Sequence, residues 1–239
     1  MFDHVTLRAS DLAASERFYA TVLAALEIEP TSAEEWEDFS LAQAGAAKPA
    51  TRGLHVGFVA PSRAHVDAFW RAGRAAGHPD AGAPGERPQY REDYYGAFLL
   101  DPDGNSAEAV HHGGVGGGDH VDHLWIRVAD VAAAKAFYAT VAPHTGFRLG
   151  TDTAERVSFR GAASSLSLVA GGTRTQHVHI AFPAPDDATV RAFHRAATEA
   201  GHPDNGPPGE RPEYHPGYYG AFVCDPDGHN VEAVNHNRG

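Results

Sequence analysis

The sequence predicts an α+β protein of four βαβββ modules that are paired into two domains. The first observation is a 37-residue segment that occurs twice without a gap, at 76–112 and at 200–236. About two thirds of its positions are identical, which indicates a tandem duplication. The second observation is that each half of the chain repeats one plan twice, in which a strand is followed by an amphipathic helix and then by short strands.

The first module of each half can be outlined from its patterning. A strand is expected at 3–8 and at 122–128, where apolar and polar residues alternate. A helix follows, with Asp11 or Asp130 near its N-cap and apolar residues at three- and four-residue steps. Short strands are expected next, at 38–42 in the first half and at 157–159 and 165–169 in the second.

The second module of each half starts the plan again. Strands are expected at 54–59 and 178–182, and helices begin near Ser62 and near Asp186 or Asp187. Both helices end at Ala-Gly-His-Pro, because glycine permits the terminating conformation and proline prevents continuation. A polar loop then leads to a hairpin with an Asp-Pro-Asp-Gly turn, at 96–110 and at 220–234.

The domain boundary lies in a glycine-rich stretch of low helix and strand propensity. We expect a linker over 113–119, a first domain over 1–112 with modules at 1–50 and 53–112, and a second domain over 120–239 with modules at 120–172 and 176–239.

Composition limits the function classes. The formal net charge of −12 argues against nucleic acid and anionic membranes as partners, because both need clustered Lys and Arg. The only cysteine, Cys224, excludes an internal disulfide framework and fits a reducing compartment. We find no signal segment and no apolar run of membrane-spanning length, so a soluble cytoplasmic protein is expected.

Strand alternation places two histidines and one glutamate of each half on the sheet face opposite the helices. These residues are His4, His55 and Glu108, and His123, His179 and Glu232. Each alone is ordinary, but two equivalent sets at one strand phase favour a metal site. Two imidazoles and a carboxylate suit Fe²⁺, Mn²⁺, Zn²⁺, Ni²⁺ or Co²⁺, with positions left open for substrate.

The pairing of the modules stays open at this level. Pairing within each half would combine His123 with His179 and Glu232, whereas crossed pairing of the first module with the fourth would combine His4 with the same two residues.

These motifs resemble the vicinal oxygen chelate superfamily, which includes glyoxalase I, bleomycin-resistance proteins, fosfomycin-resistance proteins and extradiol dioxygenases. The resemblance covers nearly the whole chain apart from the linker. It rests on the His-x-x-Leu/Ile-Arg-x-x-Asp-Leu/Val opening and the Asp-Pro-Asp-Gly-x-x-x-Glu close. It implies glyoxalase-like domains that form a metal-holding cup, with the six residues above at the ligand positions.

The branch within the superfamily is less well defined. The fourth ligand of glyoxalase I is not evident, because the corresponding strands offer Ser40 and Ala42, or Ser165 and Ser167. Fosfomycin-resistance enzymes use a similar set of two histidines and a glutamate, but are usually single-domain dimers. Bleomycin-resistance proteins generally lack the triad. Extradiol dioxygenases share it, but their closing-motif tyrosine is replaced here by Phe98 and Phe222.

We expect a divalent-metal-dependent enzyme, with Fe²⁺ as the first choice, that acts on a small substrate with chelating oxygens. Dioxygenase-type chemistry is the first expectation. A glyoxalase-like lyase or isomerase, or a fosfomycin-type transferase, is the alternative enzyme. A non-catalytic protein that sequesters a drug or metabolite is the alternative of another functional class. A monomer or a homodimer is expected. Candidate substrate contacts are Arg87, Tyr90, Tyr95, Arg211, Tyr214 and Tyr219. For the two arginines, an ion pair with the adjacent glutamate explains the loop equally well.

Overall fold

Two mixed β-sheets and four helices make up the fold, as seen in a computed structural model that describes residues 2–113 and 120–237. All but the first residue of the predicted linker lie outside the described residues. Among the described helices, none is both long and apolar enough to cross a membrane.

The first half of the chain contains two modules. Module one comprises β1 (His4–Ala9), α1 (Leu12–Ala24), β2 (Glu35–Trp36) and β3 (Phe39–Gln43). Module two comprises β4 (His55–Val59), α2 (Arg63–Ala75), β5 (Asp80–Glu86), β6 (Tyr95–Leu100) and β7 (Ser106–His111).

The second half follows the same order, except that module three has three strands after its helix where module one has two. Module three comprises β8 (Val121–Arg127), α3 (Val131–Thr145), β9 (Arg148–Asp152), β10 (Arg156–Arg160) and β11 (Ser165–Val169). Module four comprises β12 (His179–Pro183), α4 (Asp187–Glu199), β13 (Asp204–Glu210), β14 (Tyr219–Cys224) and β15 (Asn230–Asn235).

The α+β class and the four modules are confirmed, and the caps account for the helix starts. Asp11 accepts a hydrogen bond from the Ala14 amide, Asp130 accepts from Ala132 and Ala133, and Asp186 accepts from Thr189. Helices α2 and α4 stop just before Gly77 and Gly201, which adopt φ of +88° and +89°.

The segments 80–86 and 204–210 correct the sequence-based expectation of a polar loop. They are the edge strands β5 and β13, each paired antiparallel with the following strand through shifted registers. Glycine and proline lower intrinsic strand propensity, but the irregular pairing accommodates both residues at a sheet edge.

The modules pair crosswise. One sheet has the order β13-β14-β15-β12-β1-β3-β2, and the other has the order β5-β6-β7-β4-β8-β11-β10-β9. Module one therefore shares a sheet with module four, and module two with module three. The ranges 1–112 and 120–239 delimit the repeated halves, but neither half forms a sheet of its own.

Helices join the modules within each half. Helix α1 contacts α2, and α3 contacts α4. The Tyr19 hydroxyl donates to the Asp101 carboxylate in the hairpin turn of module two, and Tyr138 donates to Asp225 in the same way. One continuous apolar core contains buried residues of all four modules.

The two Asp-Pro-Asp-Gly turns differ in one buried position. The Asn105 side chain accepts a hydrogen bond from the Leu54 amide at 3.1 Å and donates to the Thr51 carbonyl at 3.2 Å. His229 takes this position in the second repeat, where it is 0% exposed and neither ring nitrogen has a hydrogen-bond partner among the described residues. Burial lowers the pKa of His229, because the charged ring loses its hydration.

We predict that His229→Asn stabilises the protein, by about 1–3 kcal/mol, because asparagine can form the bonds that Asn105 forms. The unfolded chain takes up a proton near pH 6.5, whereas folded His229 resists it. Wild-type stability should therefore fall as the pH drops through 6.5 towards the lowered folded pKa, and the variant should lose less. Urea denaturation at pH 8 and pH 5.5 measures both effects. Asn105→His is the mirror control and should destabilise, and a His229→Asn variant no more stable than wild type would contradict the argument.

Candidate metal centre

Three side chains from three strands converge in the sheet of modules two and three. We call His55 on β4, Glu108 on β7 and His123 on β8 the His55 triad. The Nε2 atoms of the two histidines lie 3.0 Å apart, and Glu108 Oε2 lies 3.0 Å from His55 Nε2 and 3.2 Å from His123 Nε2.

The other sheet carries the equivalent set. We call His4 on β1, His179 on β12 and Glu232 on β15 the His4 triad. The two Nε2 atoms lie 3.1 Å apart, and Glu232 Oε2 lies 3.1 Å from His179 Nε2 but 3.7 Å from His4 Nε2. Crossed module pairing thus supplies one histidine of each triad from the opposite half of the chain.

Strand register explains how the triads assemble. Gly57 pairs with His123 on one side and with Glu108 on the other, so the two ligands flank a residue that has no side chain. A Cβ at Gly57 would overlap the His123 ring. The same register in the other sheet holds Ala181, between His4 and Glu232. Its methyl group is consistent with the longer 3.7 Å separation there.

Hydrogen bonds orient the ligands of the His55 triad. His123 Nδ1 lies 2.7 Å from Asp122 Oδ2, and His55 Nδ1 lies 2.9 Å from the Ser106 hydroxyl. When each Nδ1 carries the proton, each Nε2 presents a lone pair. Tyr94 donates to Glu108 Oε1 at 2.8 Å, which leaves Oε2 facing the two histidines.

This arrangement fits a metal ion. Three lone pairs that face one another within 3.2 Å repel unless a cation or a proton lies between them. Ligands bound about 2.1 Å from a first-row ion at right angles lie about 3 Å apart, which is the spacing of this triad. Imidazole and carboxylate also form the donor set that such ions accept.

The pKa values of the triad also indicate that positive charge is favourable at this position. Burial alone would raise the pKa of Glu108, but hydrogen bonds with His123 and His55 outweigh it and lower the pKa to about 2. Burial opposes a charge on His123, yet its bonds to Asp122 and Glu108 raise its pKa to about 10. Burial lowers the pKa of His55. A metal at this triad therefore competes with a proton, so its binding should weaken as the pH falls.

The His4 triad differs in how one histidine is held. Asp3 lies 2.8 Å from His4 Nδ1, and Tyr218 donates to Glu232 Oε1 at 2.6 Å, as in the other triad. His179 Nδ1, however, lies 2.6 Å from the amide nitrogen of Asn230, and 3.3 Å from its backbone carbonyl. When the amide N–H donates to Nδ1, the His179 proton lies on Nε2, where it occupies the position that a metal needs.

A cavity of about 670 Å³ lies beside the His55 triad. Its wall includes Phe98, whose ring centre is 5.9 Å from that of His55, and Trp125, at 6.4 Å. Tyr90 also lines it and packs edge-on against Trp125.

Among the other predicted substrate contacts, Arg87, Arg211 and Tyr214 do not line this cavity. Arg87 stacks over the Phe98 ring and bonds to the Ala83 carbonyl, and Arg211 does the same with Phe222 and Pro207. Both guanidiniums therefore support an aromatic wall. Tyr214 is exposed and packs against Tyr218.

Tyr95 and Tyr219 correct the expectation of substrate contact, because both lie on the helical face of their sheets. Tyr95 donates to Asp67 on α2, and Arg191 on α4 donates to Tyr219. The residue before each of them reaches the triad, since neighbouring strand positions point to opposite faces.

Sequence reasoning missed the partners behind the triads. Asp122 accepts a 2.6 Å bond from His112, and Asp3 accepts a 2.8 Å bond from His236. The repeated Asp-His pairs and the histidine at the end of each 37-residue segment were the available signal.

Fold and donor sets together define a protein of paired βαβββ modules with two candidate metal centres. The family model described as Glyoxalase/Bleomycin resistance protein/Dioxygenase superfamily matches residues 1–109 and 120–233, and the chain therefore belongs to this superfamily.

Solved structures agree on the fold. Glyoxalase I from Zea mays is 18% identical, with a TM-score of 0.70 over 98% of this chain and 92% of that one. A Bacillus subtilis protein named "putative dioxygenase" is 15% identical, with a TM-score of 0.69 over 100% of this chain and 86% of that one. None of the curated proteins matches the chain in sequence.

We predict that exchanging Ser106 and Asn230 between the triads changes their metal affinities in opposite directions. Asn230→Ser should strengthen binding at the His4 triad, because a hydroxyl can accept the Nδ1 proton, and Ser106→Asn should weaken binding at the His55 triad. Changes of about 10- to 100-fold are typical for such outer partners. Competition with a chromophoric chelator measures each site once the glutamate of the other triad is replaced by alanine. Equal affinities in all variants would refute the tautomer argument.

Proposed function

We propose that this protein is a divalent-metal-dependent enzyme that binds a small substrate through neighbouring oxygens at the His55 triad. The observation that carries the proposal is the convergence of two imidazole nitrogens and a carboxylate oxygen within 3.2 Å, beside a cavity of about 670 Å³. A cavity of this size suits a small metabolite.

The ligand set favours Fe²⁺ as the resident ion, with Mn²⁺, Zn²⁺, Ni²⁺ and Co²⁺ as alternatives. Two histidines and one carboxylate on one face are typical of non-haem iron oxygenases, and they leave positions for substrate. When bound, such an ion polarises substrate oxygens and, if it is iron, supports chemistry with O₂. His4, His179 and Glu232 form the second proposed metal site.

The chain's own residues then have separable roles. Asp122 and Ser106 hold the two imidazoles in the orientation that exposes Nε2. Tyr94 engages one oxygen of Glu108 and leaves the other free to bind. Phe98 and Trp125 supply an apolar wall, and the Tyr90 hydroxyl can donate to a substrate oxygen.

Dioxygenase-type chemistry is our first choice, and a lyase or isomerase reaction is the second candidate. Two observations favour the second candidate. Tyr94 is already bonded to Glu108, and Phe98 stands where extradiol dioxygenases have a tyrosine. A hydroxyl bound to a ligand is not free to donate to substrate.

We predict that purified protein holds up to two metal ions per chain and that each triad loses its own ion independently. Glu108→Ala and Glu232→Ala should each lower the metal content by one, because a ligand and its negative charge are lost. Glu199→Ala, an exposed glutamate on α4, should retain the full content. Elemental analysis after anaerobic loading with Fe²⁺ gives the count. A Glu108→Ala protein that still holds two ions would remove the metal centre proposed here.

We further predict that turnover depends on the His55 triad. Iron-loaded protein, screened anaerobically and then with O₂ against catechols and 2-oxo and 2-hydroxy acids, should consume one class. Glu108→Ala should abolish that activity, because the ligand lost lines the cavity. O₂ uptake with product analysis separates dioxygenase chemistry from isomerisation or cleavage. Ligand binding without turnover in every metal form would instead indicate a sequestering binder.

A further inference from the structure

Three arginines of module three line the cavity beside the His55 triad: Arg127 at the end of β8, and Arg156 and Arg160 at the two ends of β10. The chain as a whole is acidic, with a formal net charge of −12. The carboxylates in the cavity wall, Glu108 and Asp122, are both bonded to histidines. The arginines therefore bring positive charge to this cavity in a chain whose net charge is negative.

These arginines form no ion pair with the carboxylates that the structure describes. Within the described parts of the chain, none of the three guanidiniums is within 4.0 Å of a carboxylate oxygen, whereas Arg52, Arg63 and Arg91 all form such pairs. Arg127 donates to the backbone carbonyl of Gly171, which leaves its charge uncompensated.

Arg156 is the most constrained of the three. Its guanidinium stacks 4.5 Å from the centre of the Trp125 ring, and Nη2 donates to the Ser167 hydroxyl at 3.2 Å. Its Nε is buried and has no hydrogen-bond partner among the described residues. Burial, followed by repulsion from Arg160, lowers the pKa of Arg156. A buried cationic donor without an acceptor is costly, and an anionic ligand would relieve that cost.

Strand register fixes the separation between these charges and the triad. His123 pairs with Ser165, and Ser165 pairs with Arg160. Arg160 therefore lies two strands from a triad ligand, about 10 Å between backbones, and its long side chain shortens that gap. One small molecule can span from the triad to the arginines.

The His4 triad lacks this surface. In module three, Ser158 pairs with Ser167, which pairs with Trp125. In module one, Glu35 pairs with Ser40, which pairs with Thr6, the equivalent of Trp125. Glu35 therefore takes the register of Ser158. The repeat therefore shares one arginine, Arg8 or Arg127, whereas the arginines on β10 and Trp125 belong to module three alone.

We propose that the His55 site takes a substrate with a second anionic group, a carboxylate or a phosphoryl group, which Arg156 and Arg160 bind with help from Arg127 while the chelating oxygens face the triad. This inference rests on the proposed function, since it assigns the substrate class of the same site. Guanidinium forks bind both kinds of anion in a bidentate manner, which sets the orientation of the molecule.

Three 2-oxo acids test the proposal on protein loaded with Co²⁺. Pyruvate offers chelating oxygens only, 2-oxoglutarate adds a carboxylate, and 3-phosphonopyruvate adds a phosphonate. We expect at least one of the last two to bind about tenfold or more tightly than pyruvate by isothermal titration, and the tighter one identifies the anionic group. Arg156→Gln and Arg160→Gln should remove that advantage and lower the affinity for pyruvate much less.

Arg148→Gln is the matched control, because Arg148 is an exposed arginine on β9 of the same sheet and does not line the cavity. It should behave as wild type, and Arg156→Lys should retain only part of the advantage. Equal affinities for the three acids, or an advantage that survives in the Arg156→Gln/Arg160→Gln double variant, would overturn the inference.

A second measurement separates this inference from the proposed function. Inorganic phosphate is titrated into metal-free protein and into the double variant. Arginine-dependent phosphate binding would support the anion site, and a protein that shows it but retains no metal after anaerobic loading would refute the metal-dependent function alone. A protein that binds metal normally but shows no arginine-dependent preference among the 2-oxo acids would refute the anion site alone.

Discussion

Antiparallel pairing of β1 with β12 and of β4 with β8 is the interaction on which the sites depend. It places Gly57 opposite His123 and His4 opposite Ala181, so each candidate centre takes ligands from both halves of the chain. In this crossed arrangement, neither triad is contained within one half of the chain. The helices hold the modules together within each half, through contacts such as Tyr19 with Asp101, whereas the sheets join the halves to each other. Unfolding of one half should therefore dismantle both centres.

Much of this architecture could be predicted from the sequence, because the two-residue period of a strand fixes which side chains share a face. That period selected His55, Glu108 and their equivalents before any pairing was known. It could not choose between crossed and within-half pairing, since both use the same strands with the same faces. The strand period also did not reveal β5 and β13, because their Gly- and Pro-rich sequences have low strand propensity and pair irregularly at the sheet edges.

The errors in the site have a similar origin. Tyr94 and Tyr95 are adjacent, and a shift of one position decides which of them reaches Glu108 and which reaches Asp67. The arginines on β10 escaped notice for another reason. Module one, the counterpart of module three, has no equivalent arginines, so comparison of the two repeats could not identify them. Duplication pointed to what the two sites have in common, and it concealed what distinguishes them.

That distinction is chemically coherent. At the His55 triad, glycine leaves room between the ligands, Ser106 can accept the histidine proton, and uncompensated arginines line the cavity. At the His4 triad, Ala181 stands in the place of the glycine, and the Asn230 amide nitrogen faces His179 Nδ1. Glu35 takes the register of Ser158, between the positions of the two arginines on β10, and brings negative charge. We expect each of these differences to weaken the His4 triad as a site for a metal ion or for an anionic ligand. Two copies of one fold therefore share the same candidate ligands, whereas only the His55 triad has the surroundings that the proposed chemistry on an anionic substrate requires.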